Sequence, residues 1–201
     1  MASAISKTKS NLIDVARQLF AKQGVENTTM NDIAKASQRG RRTLYTYFSS
    51  KQDIYKAVIE SELSGLYKKL EAVIKRNIPA DDKLILLAFT RLSALKEVVT
   101  RNGTLKADFF RDIWQVETVR KEFDNKEIHY LETIIQDGCD NNIFQLTDIK
   151  QTAEILHYAF KGLEVPAIRG AIKLDYNKKS DRELISDIVL KGLYAKKQTN
   201  S

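Results

Sequence analysis

Apolar side chains recur every three or four residues along almost the whole chain, which is the spacing that one face of an α-helix produces. The first clear stripe lies between residues 11 and 23, and Gly24 directly after it is typical of a helix end. No segment of the sequence alternates apolar and polar residues with the period of two that a half-buried β-strand requires. Glycine and proline are also scarce, at eight and two in 201 residues. The pattern therefore predicts an all-α protein.

Two short helices joined by a tight turn follow the first helix. Thr29 stands three residues before Asp32, which is the spacing of a capping box, and predicts the start of a helix that ends near Ala36. The polar turn Ser37–Gly40 then leads into a second short helix over residues 41–46. This arrangement is typical of a helix-turn-helix, whose second helix fits the DNA major groove.

A long helix and several further helical segments make up the rest of the chain. Ser50 and Asp53 form a second possible capping box, and the periodic stretch that they open stops before Pro79. Pro166 lacks the N–H that would bond to the Gly162 carbonyl, so we expect a kink or a helix end in that region. The predicted helices are about 82–100, 105–113, 116–138, 149–172 and 181–196. We divide the chain into a helix-turn-helix domain over residues 1–50 and a second domain over residues 51–201.

The positive charge of the chain is concentrated at its beginning. The whole sequence carries 33 basic and 26 acidic side chains, which gives a net charge of +7. Residues 1–51 hold nine basic and three acidic side chains, whereas the rest of the chain is close to neutral. Such an excess indicates a module that faces a polyanion, although a solvated basic surface would give the same count.

The second short helix carries side chains that suit DNA. Guanidinium groups bind guanine edges or phosphates, threonine side chains contact bases or backbone, and phenolic hydroxyls donate hydrogen bonds to phosphates. Lys51 adds a positive charge at the start of the next helix. A half-buried packing role is an alternative for the two tyrosines. The candidate DNA-binding residues here are Arg41, Arg42, Thr43, Tyr45, Thr46, Tyr47 and Lys51.

This pattern of residues resembles the tetracycline-repressor (TetR) family of bacterial transcriptional regulators. The similar stretch covers about fifty residues, and its members are Phe20, Gly24, residues 28–34 (TTMNDIA), residues 43–48 (TLYTYF), Ser50, Lys51 and Ile54. The resemblance implies an all-helical homodimer with an N-terminal DNA-binding module and a C-terminal ligand-binding and dimerisation domain.

The resemblance also implies a role for individual positions. It implies that Thr29 and Lys51 hold phosphates and that Tyr47 touches the DNA backbone. It places Leu44 and Phe48 in the core. The residues that it implies approach the bases are Arg41, Thr43 and Tyr45.

The turn between the two short helices departs from the family pattern. The family usually has a glycine followed by an apolar residue, whereas this chain has Gln38 and Arg39, with Gly40 two places later than expected. The shape of the turn is therefore open. Arg39 points either to a DNA phosphate or to water, and we include it among the DNA-binding candidates.

No arrangement of catalytic or metal-binding residues stands out in the sequence. His129 and His157 form neither an HExxH motif nor an i, i+4 pair, and Cys139 has no CxxC partner. A lone histidine on a helix is more often a packing or surface residue than a ligand. We therefore predict neither an enzyme, nor a cofactor, nor a metal site. The single cysteine, the absence of an apolar N-terminal run and the absence of an 18-residue apolar stretch predict a cytoplasmic protein with no membrane segment.

Aromatic residues gather in the second half of the chain, and filling of the core explains most of them. The family resemblance implies a small-molecule pocket among the middle helices. The mixture of residue types suits a mainly apolar effector with a few polar anchors. The candidate lining residues are Phe110, Trp114, His129, Tyr130 and Tyr158.

The last two large helices are apolar over more of their surface than one buried stripe requires. A second subunit would cover the additional face, and the resemblance places dimerisation on these helices, although burial within one domain is the alternative. The candidate interface residues are Leu156, Phe160, Leu163, Leu184, Ile185, Ile188, Val189 and Leu193.

Together these features predict a homodimeric regulator of transcription that binds a double-stranded, inverted-repeat operator. We expect it to act as a repressor that a small-molecule effector releases from DNA. The alternative is a TetR-like fold that serves as a protein-interaction or small-molecule-sequestering module without binding DNA.

Overall fold

The computed structural model of the protein describes residues 2–101, 113–191 and 193. These residues form α-helices and no β-strand, so the all-α prediction is confirmed. The helices are α1 (Ala2–Gln23), α2 (Met30–Ala36), α3 (Arg41–Tyr47), α4 (Lys51–Ile74), α5 (Ala80–Arg101), α6 (Ile113–Asp140), α7 (Ile149–Gly162), α8 (Glu164–Ile168) and α9 (Lys179–Leu190).

The helices pack into two compact units. The first contains Ala2–Gly65 and the described residues between Glu97 and Lys121, and the second contains Leu66–Lys96 and the described residues from Glu122 onward. The sequence divides the chain at residues 50 and 51, whereas the packing divides it inside α4. The cause is that the first turns of α4 bury Ile54, Tyr55 and Val58 in the core of the first unit.

A small apolar core holds the helix-turn-helix together. The stripe of α1 buries Leu12, Ala16 and Phe20 completely, and the Phe20 ring meets the Tyr55 ring edge to face at a centroid distance of 6.0 Å. Ile33 from α2 and Leu44 from α3 are also fully buried. Because α1, α2, α3 and the start of α4 all contribute apolar residues to this close-packed core, the orientation of the exposed face of α3 is fixed.

The second unit has its own core, and a glycine allows one close approach within it. Leu84, Leu131 and Ile135 are fully or almost fully buried. A methyl group at Gly138 would lie 2.2 Å from the Phe144 ring, so only glycine fits at that position of α6.

The predicted helix end near Pro166 is confirmed, but the predicted helix over 149–172 is too long. Helix α7 ends at Gly162, and the short α8 starts at Glu164 after a single intervening residue. Pro166 lies in α8, where it has no N–H to give to the Gly162 carbonyl. Helix α1, in contrast, is longer than predicted, because it starts at Ala2 rather than near residue 11.

Within the part of the chain that the structure describes, every helix is too short or too polar to cross a lipid bilayer.

Candidate nucleic-acid interface

The start of α2 is fixed by the capping box that the sequence predicts. The Thr29 hydroxyl oxygen accepts a hydrogen bond from the Asp32 N–H at 3.2 Å, and the Asp32 carboxylate accepts one from the Thr29 N–H at 2.9 Å. The Thr29 hydroxyl also donates to the same carboxylate at 2.7 Å. These hydrogen bonds from Thr29 lower the pKa of Asp32. Thr29 therefore has a local role at the cap, and its side chain stays exposed beside the start of α2.

The turn between α2 and α3 keeps a left-handed residue even though it lacks glycine there. Gln38 has a φ of 54°, whereas Gly40 has a φ of −64° and a ψ of 146°, which any residue adopts. The N–H groups of Gln38 and Arg39 bond back to the carbonyls of Lys35 and Ala34 at 3.1 and 3.0 Å. The departure from the family pattern is thus one of residue type at Gln38, and the Arg39 side chain is exposed.

Helix α3 separates its apolar residues from its polar ones. Leu44 is fully buried and Phe48 is 4% exposed, which fixes the inner face of the helix. The helix contains no acidic residue, and its outward side chains carry positive charge and hydroxyl groups. Those that are exposed are Arg41, Arg42, Tyr45 and Thr46, while Thr43 and Tyr47 are half-buried.

Two contacts order the exposed face of α3. The Arg41 guanidinium lies 6.0 Å from the centroid of the Tyr45 ring, within the range of a cation–π contact. The Thr46 hydroxyl donates a hydrogen bond to the Arg42 carbonyl at 2.9 Å, and its lone pairs stay available to a donor. Among the ion pairs of the described residues, none involves Arg39, Arg41 or Arg42. These guanidinium groups are therefore free to meet an anionic partner.

Lys51 has a structural task in addition to its predicted one. Its ammonium group donates to the carbonyls of Val25 and Glu26, at 2.8 and 3.2 Å, and so ties the start of α4 to the loop between α1 and α2. An ammonium group has three N–H donors, so one is left for a phosphate. Half of the second predicted capping box is present, because the Ser50 hydroxyl accepts from the Asp53 N–H at 3.1 Å, whereas the Asp53 carboxylate accepts from the Ser49 N–H at 3.1 Å.

Lys9 is a basic residue beside this surface that is not among the predicted DNA-binding residues. Its ammonium group lies 5.8 Å from the centroid of the Phe48 ring, at the end of α3, and its side chain is exposed. The sequence signal for it was present in the basic excess of residues 1–51, but Lys9 precedes Phe20, the first of the residues that resemble the family.

The comparisons with known proteins agree with this geometry. Residues 12–58 match the family described as bacterial regulatory proteins, tetR family. The chain is 24% identical to the HTH-type transcriptional regulator YfiR of Bacillus subtilis, over 86% of this chain and 83% of that one. It is 23% identical to the HTH-type transcriptional regulator QacR of Staphylococcus aureus, over 77% of this chain and 83% of that one.

A solved structure extends the similarity to the whole fold. The crystal structure of a transcriptional regulator from Cytophaga hutchinsonii has a TM-score of 0.70 and 24% identity, and the match covers 92% of this chain and 97% of that one. The resemblance to the TetR family is confirmed, and the family match covers residues 12–58 of the chain. The chain is a transcriptional regulator with a helix-turn-helix DNA-binding module.

The predicted pocket residues of the second half do not share one environment. Phe110 and the side chain of Trp114 lie outside the described residues. His129 is exposed and borders an open groove of mostly polar residues, Tyr158 is 60% exposed, and Tyr130 is half-buried. Exposed positions of this kind are unlike those that line an enclosed apolar cavity. The pocket stays a prediction.

The predicted interface residues fall into two groups. Leu184 and Ile188 are 53% and 69% exposed and lie one turn apart on α9. On α7, Ile155 and Tyr158 are 62% and 60% exposed and were not among the interface candidates. We call these four residues the exposed apolar face. The remaining candidates belong at least partly to the core of their own unit: Phe160, Ile185 and Leu193 are buried, and Leu156, Leu163 and Val189 are half-buried.

A buried group of charged residues in the second unit was missed by the sequence analysis. Its members are Arg91, Asp124, Glu127, His157, Lys161 and Glu164, which we call the charged network. A local signal existed, because Asp124 and Glu127 are three residues apart, and Lys161 follows His157 by four residues. That spacing places each pair on one helix face, but it does not tell which faces meet.

Proposed function

We propose that the protein is a homodimeric repressor that binds an inverted-repeat operator and is released from it by a small-molecule effector. The observation that carries the proposal is the outward face of α3, where Arg41, Arg42, Tyr45 and Thr46 are exposed on a helix whose other side is fixed by Leu44. A solvated basic surface would not require this sorting of hydroxyl and guanidinium groups onto one rigid helix.

Two copies of this helix are needed to read an inverted repeat. The exposed apolar face offers the surface for pairing. Its members Ile155, Tyr158, Leu184 and Ile188 are large apolar side chains that are more than half exposed, and a second copy would cover them. A two-fold dimer would present two α3 helices to successive major grooves, about 34–36 Å apart or a multiple of that distance.

An effector would act on DNA binding through α4. This helix contributes residues to both compact units, so a change in the second unit has a direct covalent route to the first. We expect an apolar molecule with a few polar groups, as the aromatic residues of the second half suggest. A coupling free energy of about 1–3 kcal/mol would change the affinity for the operator roughly 5–150-fold.

The test is a binding measurement on the duplex upstream of the gene that encodes this chain, with a random duplex of equal length beside it. Arg41→Ala should weaken operator binding by about 1–3 kcal/mol if the guanidinium grips a guanine through two hydrogen bonds, and it should leave binding to random DNA nearly unchanged. Arg169→Ala is the matched control, because Arg169 is exposed but lies on the other unit.

Two other outcomes would redirect the proposal. Equal losses on operator and random duplex would make Arg41 a phosphate contact rather than a base contact. Absence of salt-dependent binding to the duplex would instead support a protein-interaction or sequestering module, because binding to a polyanion releases counterions.

A further inference from the structure

The charged network is buried in the second unit and joins four helices. Arg91 of α5 is 2% exposed, Glu127 of α6 is 1% exposed, and His157 of α7 is fully buried. The Arg91 guanidinium donates to the Glu127 carboxylate and, at 2.5 Å, to Glu164 of α8. The Lys161 ammonium group donates to the Asp124 carboxylate. Each of the three carboxylates therefore touches a cationic side chain.

His157 lies between two of these carboxylates. Its Nδ1 atom is 3.2 Å from Glu127 Oε2, and its Nε2 atom is 3.3 Å from Asp124 Oδ1. A neutral imidazole has a hydrogen on one nitrogen only, so it would turn a lone pair toward one of the carboxylates. The protonated ring has a hydrogen on both nitrogens and turns a positive charge toward both carboxylates. The geometry thus favours the imidazolium form.

The six residues of the charged network carry equal numbers of negative and positive charges when His157 is protonated. Asp124, Glu127 and Glu164 supply three negative charges, and Arg91, Lys161 and the imidazolium supply three positive ones. Burial alone would lower the pKa of His157, but the contacts with Asp124 and Glu127 and their negative charges outweigh it, so the pKa is raised above 6.5. The pKa of Asp124 is lowered in spite of its burial, because His157 and Lys161 stabilise the carboxylate.

The other groups around the ring do not change this balance. The Tyr158 ring meets the imidazole edge to face at 5.0 Å. Tyr67 of α4 packs on Phe123, one residue before Asp124, and burial together with the nearby acidic groups raises the pKa of its phenol, which keeps it neutral. The Arg91 pKa is raised as well, since Glu127 and Glu164 outweigh its burial, so its charge is permanent.

A divalent cation is the competing occupant of this place. Asp124, Glu127 and His157 each offer one ligand atom, and these atoms lie within 4.8 Å of one another. A metal ion would displace the His157 proton and leave the buried network with one excess positive charge beside Arg91 and Lys161. Arg91 and Lys161 already take one oxygen of each carboxylate, Oε1 of Glu127 and Oδ2 of Asp124, so a metal would have only the other oxygen of each. A single proton fits the charge and the geometry better.

We propose that the proton on His157 is a switch that holds α5, α6, α7 and α8 together in the second unit and releases them as the pH rises. Loss of the proton removes the positive charge that lies between Asp124 and Glu127 and turns a lone pair of the ring toward one of these carboxylates. The sign follows from linkage: a group that holds its proton more tightly in the folded state stabilises the fold at low pH. That stabilisation is lost as the pH rises through the folded-state pKa.

The test combines nitrogen NMR of the histidine rings with thermal unfolding across pH, both on the full chain. The sequence has only two histidines, so His129→Gln assigns the two ring signals without ambiguity. His157 should show the imidazolium signature at pH 7, with both ring N–H groups protonated. The unfolding midpoint should fall as the pH rises through its titration, by about 3–5 °C for each unit by which folding raises the pKa.

The variants separate the switch from a general alkaline effect. His157→Gln should flatten the fall of the midpoint with pH, and His129→Gln, whose ring is 74% exposed, should follow the original chain. A neutral His157 ring at pH 7, or an equal fall of the midpoint in His157→Gln, would overturn the proposal. A midpoint that rises with Zn²⁺ and drops with a chelator, only while His157 is present, would also overturn it in favour of a metal site. The NMR measurement decides even if His157→Gln fails to fold.

Discussion

The α3 surface and the charged network both concentrate charged side chains, but the cations are exposed and unpaired on α3 and ion-paired in the network. On α3, arginines stand in solvent on a helix without acidic residues, and the ion pairs found among the described residues lie elsewhere. In the charged network, every cation is held against a carboxylate, and Arg91, Glu127 and Glu164 are almost fully excluded from water. Exposed unpaired cations contribute little to folding and remain available to a partner, whereas buried paired ones bind helices to one another. The first region should therefore respond to salt and the second to pH.

The largest effect should come from breaking the charged network at Arg91. Arg91→Met keeps the aliphatic stem but removes the contacts of the guanidinium with Glu127 and Glu164. Both buried carboxylates lose the guanidinium as a partner, which should lower the free energy of unfolding by about 3–5 kcal/mol. Urea unfolding followed by circular dichroism measures it.

Lys191→Met provides the matched control for Arg91→Met. Lys191 pairs with Asp187 at 3.0 Å, but both side chains are more than half exposed. Its loss should change the free energy of unfolding by less than about 0.5 kcal/mol. Similar small losses in both variants would mean that the buried pairs contribute no more to stability than a surface pair.

The two regions also differ in how well the sequence predicts them. The capping box of Thr29 and Asp32, the stop at Gly24 and the two faces of α3 all depend on residues within one or two helical turns, so a local pattern specifies them. Even there, the direct contact of Lys51 with the carbonyls of Val25 and Glu26 joins residues about 25 apart and has no local signal.

The charged network depends almost entirely on distant pairing. Arg91 meets Glu127 across 36 residues and Glu164 across 73. From sequence alone His157 is a lone histidine on a helix, for which packing or surface exposure is the ordinary interpretation. The spacing of Asp124 and Glu127 places them on one helix face but does not show that this face meets His157. Packing of the whole unit decides which helix faces meet. The same packing divides the compact units inside α4, whereas the sequence pattern predicts a boundary at residue 50, where a helix begins.

Substitution of Arg39 tests the α3 surface through a smaller effect, a change in the affinity for DNA and in its dependence on salt. Its guanidinium is exposed in the turn just before α3, and we expect it to contact a phosphate. Arg39→Ala should weaken binding to operator and random duplex by the same factor. It should also reduce the slope of log affinity against log salt by about one. Fluorescence anisotropy over a salt series measures both.

The control for Arg39 again uses a cation on the other unit. Arg169→Ala should leave the salt slope unchanged, since Arg169 lies outside the helix-turn-helix. If Arg39→Ala behaves like this control, the Arg39 side chain faces only water and the DNA contact surface begins at α3.

The smallest expected effect concerns the left-handed residue that holds α3 in place. Gln38 adopts a φ of 54°, which disfavours a residue with a Cβ atom by about 1–2 kcal/mol relative to glycine. Gln38→Gly relieves this strain but also gives the unfolded chain more freedom, so a net gain of about 0.5–1 kcal/mol in the free energy of unfolding is expected. Gly40→Ala is the control, because Gly40 has an ordinary φ and open space where a Cβ atom would lie. It should leave the free energy of unfolding unchanged. A loss in Gly40→Ala together with no gain in Gln38→Gly would place the left-handed residue at Gly40 instead.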